Sequence, residues 1–330
     1  MRILFINILV SLVVLCSCNS SNSPEIMQED NNVKEVRVRF IPMVDEDTQS
    51  RIALQESGLT FFWEKNDTLG IFPSRGGQVE FPIKEEYIGT DRADFDGGGW
   101  ALKLDASYSA YYPFNFYNRN LAAIPHSYVG QIKDGNVAEE RAHLSRYIFG
   151  ASVPTMPKEN NKLLSFDLMH VGTSMKLTLN MPEANSYDSL TVYTDAKILP
   201  IKKTINLQDG SLTQTPVEYS DRLTVGLKNV STVTPNEELV IWVVFPSVKE
   251  PSHELKVVVY GSNKATYTGS LYKKNNDGTT TPAMASCTAG NFQRRYATLE
   301  YNPNFTLGVT SITPEQWQNG GEENVTVTIP

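Results

Sequence analysis

The chain has 330 residues, with 37 acidic against 29 basic side chains and a formal charge of −8. That length leaves room for two domains with cores of their own. The acidic balance, without a basic cluster, argues against a nucleic-acid partner.

Met1-Arg2 is a short positive region, and Ile3 to Leu15 is an almost unbroken apolar run, too short to span a bilayer comfortably. Residues 1–17 therefore read as a signal peptide. The run ends in Leu15-Cys16-Ser17-Cys18, which resembles the lipobox of bacterial lipoproteins. In that family a signal peptidase cuts before the cysteine and a lipid is attached to its sulfur. The resemblance puts the lipid on Cys18, because small Ser17 suits the position before the cut; Cys16, behind bulky Leu15, suits it less. The alternative is an ordinary secretory signal with two incidental cysteines. Residues 18–34 follow as a polar tether rich in Ser, Asn and Glu. Once the signal is removed only Cys18 and Cys287 remain, so neither an internal disulfide nor a cysteine-based metal site is expected.

Beyond the tether, apolar and polar residues alternate with period two, the mark of half-buried strands. Val36, Val38 and Phe40 alternate with Glu35, Arg37 and Arg39. Leu102, Leu104, Ala106, Tyr108, Ala110 and Tyr112 predict one long strand ending at Pro113. Within the irregular stretch 120–160, Ile124-Pro125-His126-Ser127 reads as loop and residues 138–145 as a short helix. Met175, Leu177 and Leu179 resume the alternation, followed by Leu190 and Val192, then Leu223, Val225 and Leu227. The run Leu239 to Pro246 is apolar on both faces and is expected at the centre of a sheet. Leu255, Val257 and Val259 follow a turn at Pro251-Ser252-His253. Further turns are expected at 75–77, 96–99, 208–210 and 276–278. Short strands and frequent turns predict an all-β fold of two tandem β-sandwich domains, residues 35–184 and 185–330, with a seam near 181–186.

Chemistry-bearing patterns are few. No nucleophile elbow, phosphate loop or dinucleotide fingerprint occurs, so no enzyme and no cofactor is expected. Asp94-Phe95-Asp96-Gly97-Gly98-Gly99 faintly resembles a calcium loop, but the twelfth position holds Asp105 and flanking helices are missing; a hairpin turn is the better reading. His126, His143, His170 and His253 show no ligand spacing, so no metal site is expected. His170 reads as a hydrogen-bonded structural histidine. Core packing accounts for most of the Trp and Tyr residues, a carbohydrate platform being the alternative.

Several segments together resemble the fimbrillin superfamily, in particular its Mfa-like branch, the type V pilin-like lipoproteins of Bacteroidales. They are Gln49-Ser50-Arg51-Ile52, Trp63 to Phe72, Gly99-Trp100, Tyr108 to Phe114, Phe166 to His170 with Met175-Lys176-Leu177, Ala289-Gly290, Tyr296, and Ile312 to Trp317. The resemblance implies transthyretin-like sandwiches and a lipid anchor in the cell outer membrane, with the protein facing outward. It also implies a role as pilus subunit or adhesin. The partners would be other fimbrillin-like subunits in a head-to-tail polymer, together with host or bacterial surface ligands. Family-type processing would cut after Arg51, in a polar stretch expected to be open to a protease. The strand of Val36, Val38 and Phe40 would then be displaced. Val325, Val327 and Ile329 alternate in the same way and are the candidate donor strand. The plainer alternatives are an ordinary loop arginine and a last strand of the second sandwich. A surface glycan-binding lipoprotein of a polysaccharide-uptake system would share the anchor, acidity and strands.

Overall fold

The computed structural model describes residues 31–46, 59–136 and 142–307. Its first strands are β1 (Glu35–Phe40), β2 (Val44–Asp45), β3 (Thr68–Pro73), β4 (Val79–Pro82), β5 (Arg92–Phe95) and β6 (Tyr108–Tyr112). Next come β7 (Ile124–Ser127), β8 (Gln131–Asp134), β9 (Gly150–Ala151), β10 (Leu163–His170), β11 (Gly172–Asn180) and β12 (Asn185–Tyr193). Then follow β13 (Leu199–Ile205), β14 (Gln214–Ser220), β15 (Arg222–Thr232), β16 (Glu238–Pro246), β17 (Val248–Glu254) and β18 (Lys256–Gly261). The last are β19 (Thr266–Ser270), β20 (Tyr272–Lys274), β21 (Thr280–Pro282), β22 (Met284–Cys287), β23 (Asn291–Thr298) and β24 (Glu300–Tyr301). Two short 3-10 turns, Glu85–Tyr87 and Ala142–Arg146, are the only helical elements among the described residues. The fold is all-β. No described helix is long and apolar enough to cross a membrane.

Three large sheets carry the architecture. The first has seven strands in the order β4-β3-β6-β9-β10-β1-β5. The second runs β16-β11-β23-β20-β21, with β2 joining β23, and the third runs β24-β19-β18-β12-β15-β8. Smaller pairings are β14-β13-β7 and β17-β22. The expected alternation shows in burial: Met175, Leu177 and Leu179 on β11, Leu190 and Val192 on β12, and Leu223 and Val225 on β15 all lie in the core. The chain changes sheets over Val171, between β10 and β11. It changes again over residues 181–184, where Met181 is buried and its N–H donates to Glu237 O at 3.0 Å. Turns fall between β3 and β4, β13 and β14, and β20 and β21 as their Gly and Asp residues predict.

Four expectations are corrected. The long strand of residues 102–112 is only β6, because residues 104–107 turn and Tyr108 folds back to accept the Lys103 N–H at 2.6 Å. Residues 124–127 are the strand β7, not loop: they pair with Lys202–Ile205 of β13, and the strand is an edge, which is where Pro125 is tolerated. Residues 251–253 do not end a strand. They are an irregularity within β17, whose register shifts between Glu250 and Glu254. β16 stands at an edge of its sheet, not at the centre. It is apolar on both faces because other layers cover it, and Gln131 closes its open side. The Gln131 amide donates to Val244 O at 2.6 Å and accepts from Val244 N–H at 2.9 Å, as a neighbouring peptide would. Of the expected helix 138–145, residues 138–141 lie outside the described residues.

Candidate functional site

The segment of interest is β1, because it is inserted between strands from distant parts of the chain. It runs parallel to β10, with Val38 opposite Phe166, and antiparallel to β5, with Val38 opposite Ala93. Alternation puts Val36, Val38 and Phe40 together on the buried face, Val38 fully enclosed. Three such side chains contribute roughly 5–9 kcal/mol of gross burial, before the entropy of ordering the strand is subtracted.

Phe40 closes the end of this apolar face. Its ring lies 5.3 Å from Trp63, 5.6 Å edge-on from Tyr112, 5.9 Å from Phe61 and 4.8 Å from the stacked His170 ring. The opposite wall is Gly150: a Cβ there would lie 2.2 Å from Phe40 Cε1. Only glycine leaves space for the ring. His170 is buried, and neither ring nitrogen makes a hydrogen bond of normal geometry. It is a structural histidine stacked on Phe40, with the Ile41 backbone as a weak polar partner. Burial pushes its pKa down to about 4. A small cavity of about 20 Å³ beside Phe40, Trp63 and Asp67 is roughly the size of one water.

The outer face of β1 is clamped by charge. Arg37 is bidentate to Asp94 on β5, at 2.7 and 3.1 Å, and the Tyr87 hydroxyl donates to the same carboxylate at 3.0 Å. The Arg37 hydrogen bond holds Asp94 below the usual carboxylate range. Arg39 makes a second fork to Asp167 on β10, at 2.6 and 3.2 Å. That pair is exposed and stabilises little. Beyond β1 the chain crosses to the second sheet. There β2 pairs with Asn291 and Phe292 of β23, Asp45 contacts Arg294, and Glu46 accepts from Gln293 at 2.6 Å.

Of the residues singled out from sequence, Val36, Val38 and Phe40 thus converge on one groove. Cys18, Arg51, Val325, Val327 and Ile329 lie outside the described residues. Sequence reasoning missed Asp94, read only as the start of a turn, as well as Asp167 and Gly150. The available signal was the pair Arg37 and Arg39 on the polar face of β1, which calls for carboxylates on both neighbouring strands. Among the described residues no cluster of three or more His, Cys, Asp or Glu side chains could hold a metal ion.

No family model matches the chain, and no curated protein matches it. Solved structures similar to it include a proposed cell adhesion protein from Bacteroides ovatus. It is 13% identical with a TM-score of 0.48, over 82% of this chain and 96% of that one. A second proposed cell adhesion protein, from Bacteroides uniformis, is 9% identical with a TM-score of 0.46, over 83% and 98%. A fimbrial protein from Bacteroides ovatus is 13% identical with a TM-score of 0.35, over 82% of this chain and 49% of that one.

Proposed function

We propose that the protein is a lipid-anchored, fimbrillin-like subunit or adhesin of the outer cell surface, and that β1 is a removable plug in its first sheet. The observation that carries the reading is the position of β1: it is the strand that joins β5 to β10, and it fills the core with one face of three apolar side chains. If β1 left, β10 would present an unpaired edge above an apolar groove. Such an edge is a template for another chain's strand. The lipobox supports surface anchoring through Cys18. The polar stretch ending at Arg51 supports processing that separates anchor and β1 from the rest. Val325, Val327 and Ile329 supply the matching apolar face for the incoming strand.

Purified precursor treated with an Arg-specific protease is expected to form head-to-tail polymers visible by electron microscopy. Arg51→Ala and a chain ending at Asn319 are both expected to stay monomeric. A wild type that remains monomeric, or variants that polymerise as well as it does, would sink the exchange mechanism. Replacing Cys18 by Ala is expected to abolish fatty-acid labelling; undiminished labelling rejects the anchor site.

A further inference from the structure

After β6 the chain does not turn directly into β7. It makes a loop, residues 113–120, that overhangs an open groove of about 650 Å³. That volume is within the range of pockets that hold small ligands. The loop is fastened through its backbone, not its aromatic side chains. The Gln78 amide donates to the carbonyls of Asn115 (2.8 Å) and Phe116 (3.2 Å). Tyr111, fully buried, accepts the Asn115 N–H at 3.1 Å and donates to Gln78 Oε1 at 2.6 Å. A loop fixed from below in this way could have tucked its rings inward. Instead Phe116 is 60% exposed and Tyr117 70% exposed.

Large rings displayed on a fastened loop are costly to leave in water and are characteristic of recognition surfaces. Charge narrows the ligand. The chain as a whole is acidic, yet among the described residues lining this groove none is acidic. Arg146, exposed at its wall, makes no ion pair with a described residue. Arg119 stacks on Phe116, its guanidinium carbon 4.4 Å from the ring centre, and so brings a second positive charge to the rim while leaving Tyr117 open. Ser127 adds a polar group, while Asn118 is buried against Tyr111, and His126 lies among the lining residues with Nε2 buried and unpartnered. Burial keeps the His126 ring neutral, with its pKa pushed down to about 3.

We propose that this groove binds a short acidic oligosaccharide, one sugar face resting on Tyr117 and its carboxylate meeting Arg146. Aromatic face, cation and hydroxyl are the three groups that a ring of C–H bonds, hydroxyls and one acid requires. A purely apolar ligand would leave Arg146 desolvated and unpaired, and a basic one would be repelled. The site does not depend on strand exchange. It gives an adhesin its ligand, and the substitutions that test it touch neither β1 nor its partners.

The mature full-length protein is applied to an array of uronate-containing, sialylated and neutral oligosaccharides, and each hit is titrated by calorimetry. Acidic glycans are expected to bind, with uncharged analogues at least tenfold weaker. Tyr117→Ala and Arg146→Gln are each expected to lose tenfold or more, with circular dichroism and protease-triggered polymerisation unchanged. The proposal is overturned if no acidic glycan binds, if neutral analogues or aromatic peptides bind equally well, or if both variants retain wild-type affinity.

Discussion

Phe40 shows how one side chain and one missing side chain depend on each other. Its ring occupies the volume that a Cβ on Gly150 would need. Gly150→Ala is therefore expected to cost about 1–3 kcal/mol, read as a lower urea midpoint at unchanged slope. Phe40→Leu in the same chain should recover part of that loss, a coupling that two independent sites would not show. A neutral single substitution would mean that the ring does not fill that space. His170, stacked on the other side of Phe40, adds a pH dependence whose sign follows from burial. The folded ring takes its proton only near pH 4, against an ordinary value of 6.5 in the unfolded chain. Between those values the unfolded chain holds more protons, so stability is full above pH 6.5 and declines as pH falls toward 4. The expected loss is about 3 kcal/mol. His126 shifts in the same direction, and Asp94 and Asp167 lose their contributions only at lower pH, as they protonate. The comparison that isolates His170 is wild type against His170→Leu, which should be flatter by that amount between pH 6.5 and 4. Equal slopes would contradict a buried neutral ring.

Elements are where local pattern and distant partners part company. The alternation of β1, β11, β12 and β15 was readable because each buries one face, and a period of two needs no knowledge of what lies opposite. β7 was not readable. Its four residues include a proline and two polar side chains, and only the remote strand β13 makes them a strand. β16 misled in the opposite direction: its apolar run reports burial on both faces truly but says nothing of hydrogen-bond neighbours. What completes its edge is the side chain of Gln131, more than a hundred residues earlier in the chain. Gln131→Leu keeps the volume but strands the buried N–H and C=O of Val244. It also removes the bond to the Tyr128 carbonyl, which the same amide meets at 2.9 Å, and is expected to cost roughly 2–5 kcal/mol. Amide exchange at Val244 should accelerate in that variant more than at the paired strand β11. If it does not, the glutamine does not cap the edge.

For the whole molecule, the sequence made the all-β class and the apolar face of β1 legible, since both rest on periodicity. It did not disclose that residues 35–46 tie two sheets together, because Arg37 to Asp94, Arg39 to Asp167 and Glu46 to Gln293 are long-range contacts between polar residues that look like solvated surface. Nor did it reveal the Tyr117 groove, whose aromatics gain meaning only from a loop fastened by its backbone. The tie has a consequence for stability. A chain shortened to begin at Ile52 loses the strand joining β5 to β10, and it also loses β2 from the flank of β23. Both sheets should weaken together, lowering the thermal midpoint and exposing an apolar groove that binds a hydrophobic dye. A synthetic peptide of residues 32–46 supplies the missing strand and should restore stability by mass action, by about 2.7 kcal/mol at a hundredfold excess over its Kd. The same peptide with Val38→Asp should fail, because it would place an unpaired carboxylate where Val38 is fully enclosed. Peptide with Arg39→Ala should still work, since the Asp167 pair is exposed and worth little. A shortened chain as stable as the full one, or rescue by the Val38→Asp peptide, would show that β1 is an accessory edge and not a plug whose place another strand can take.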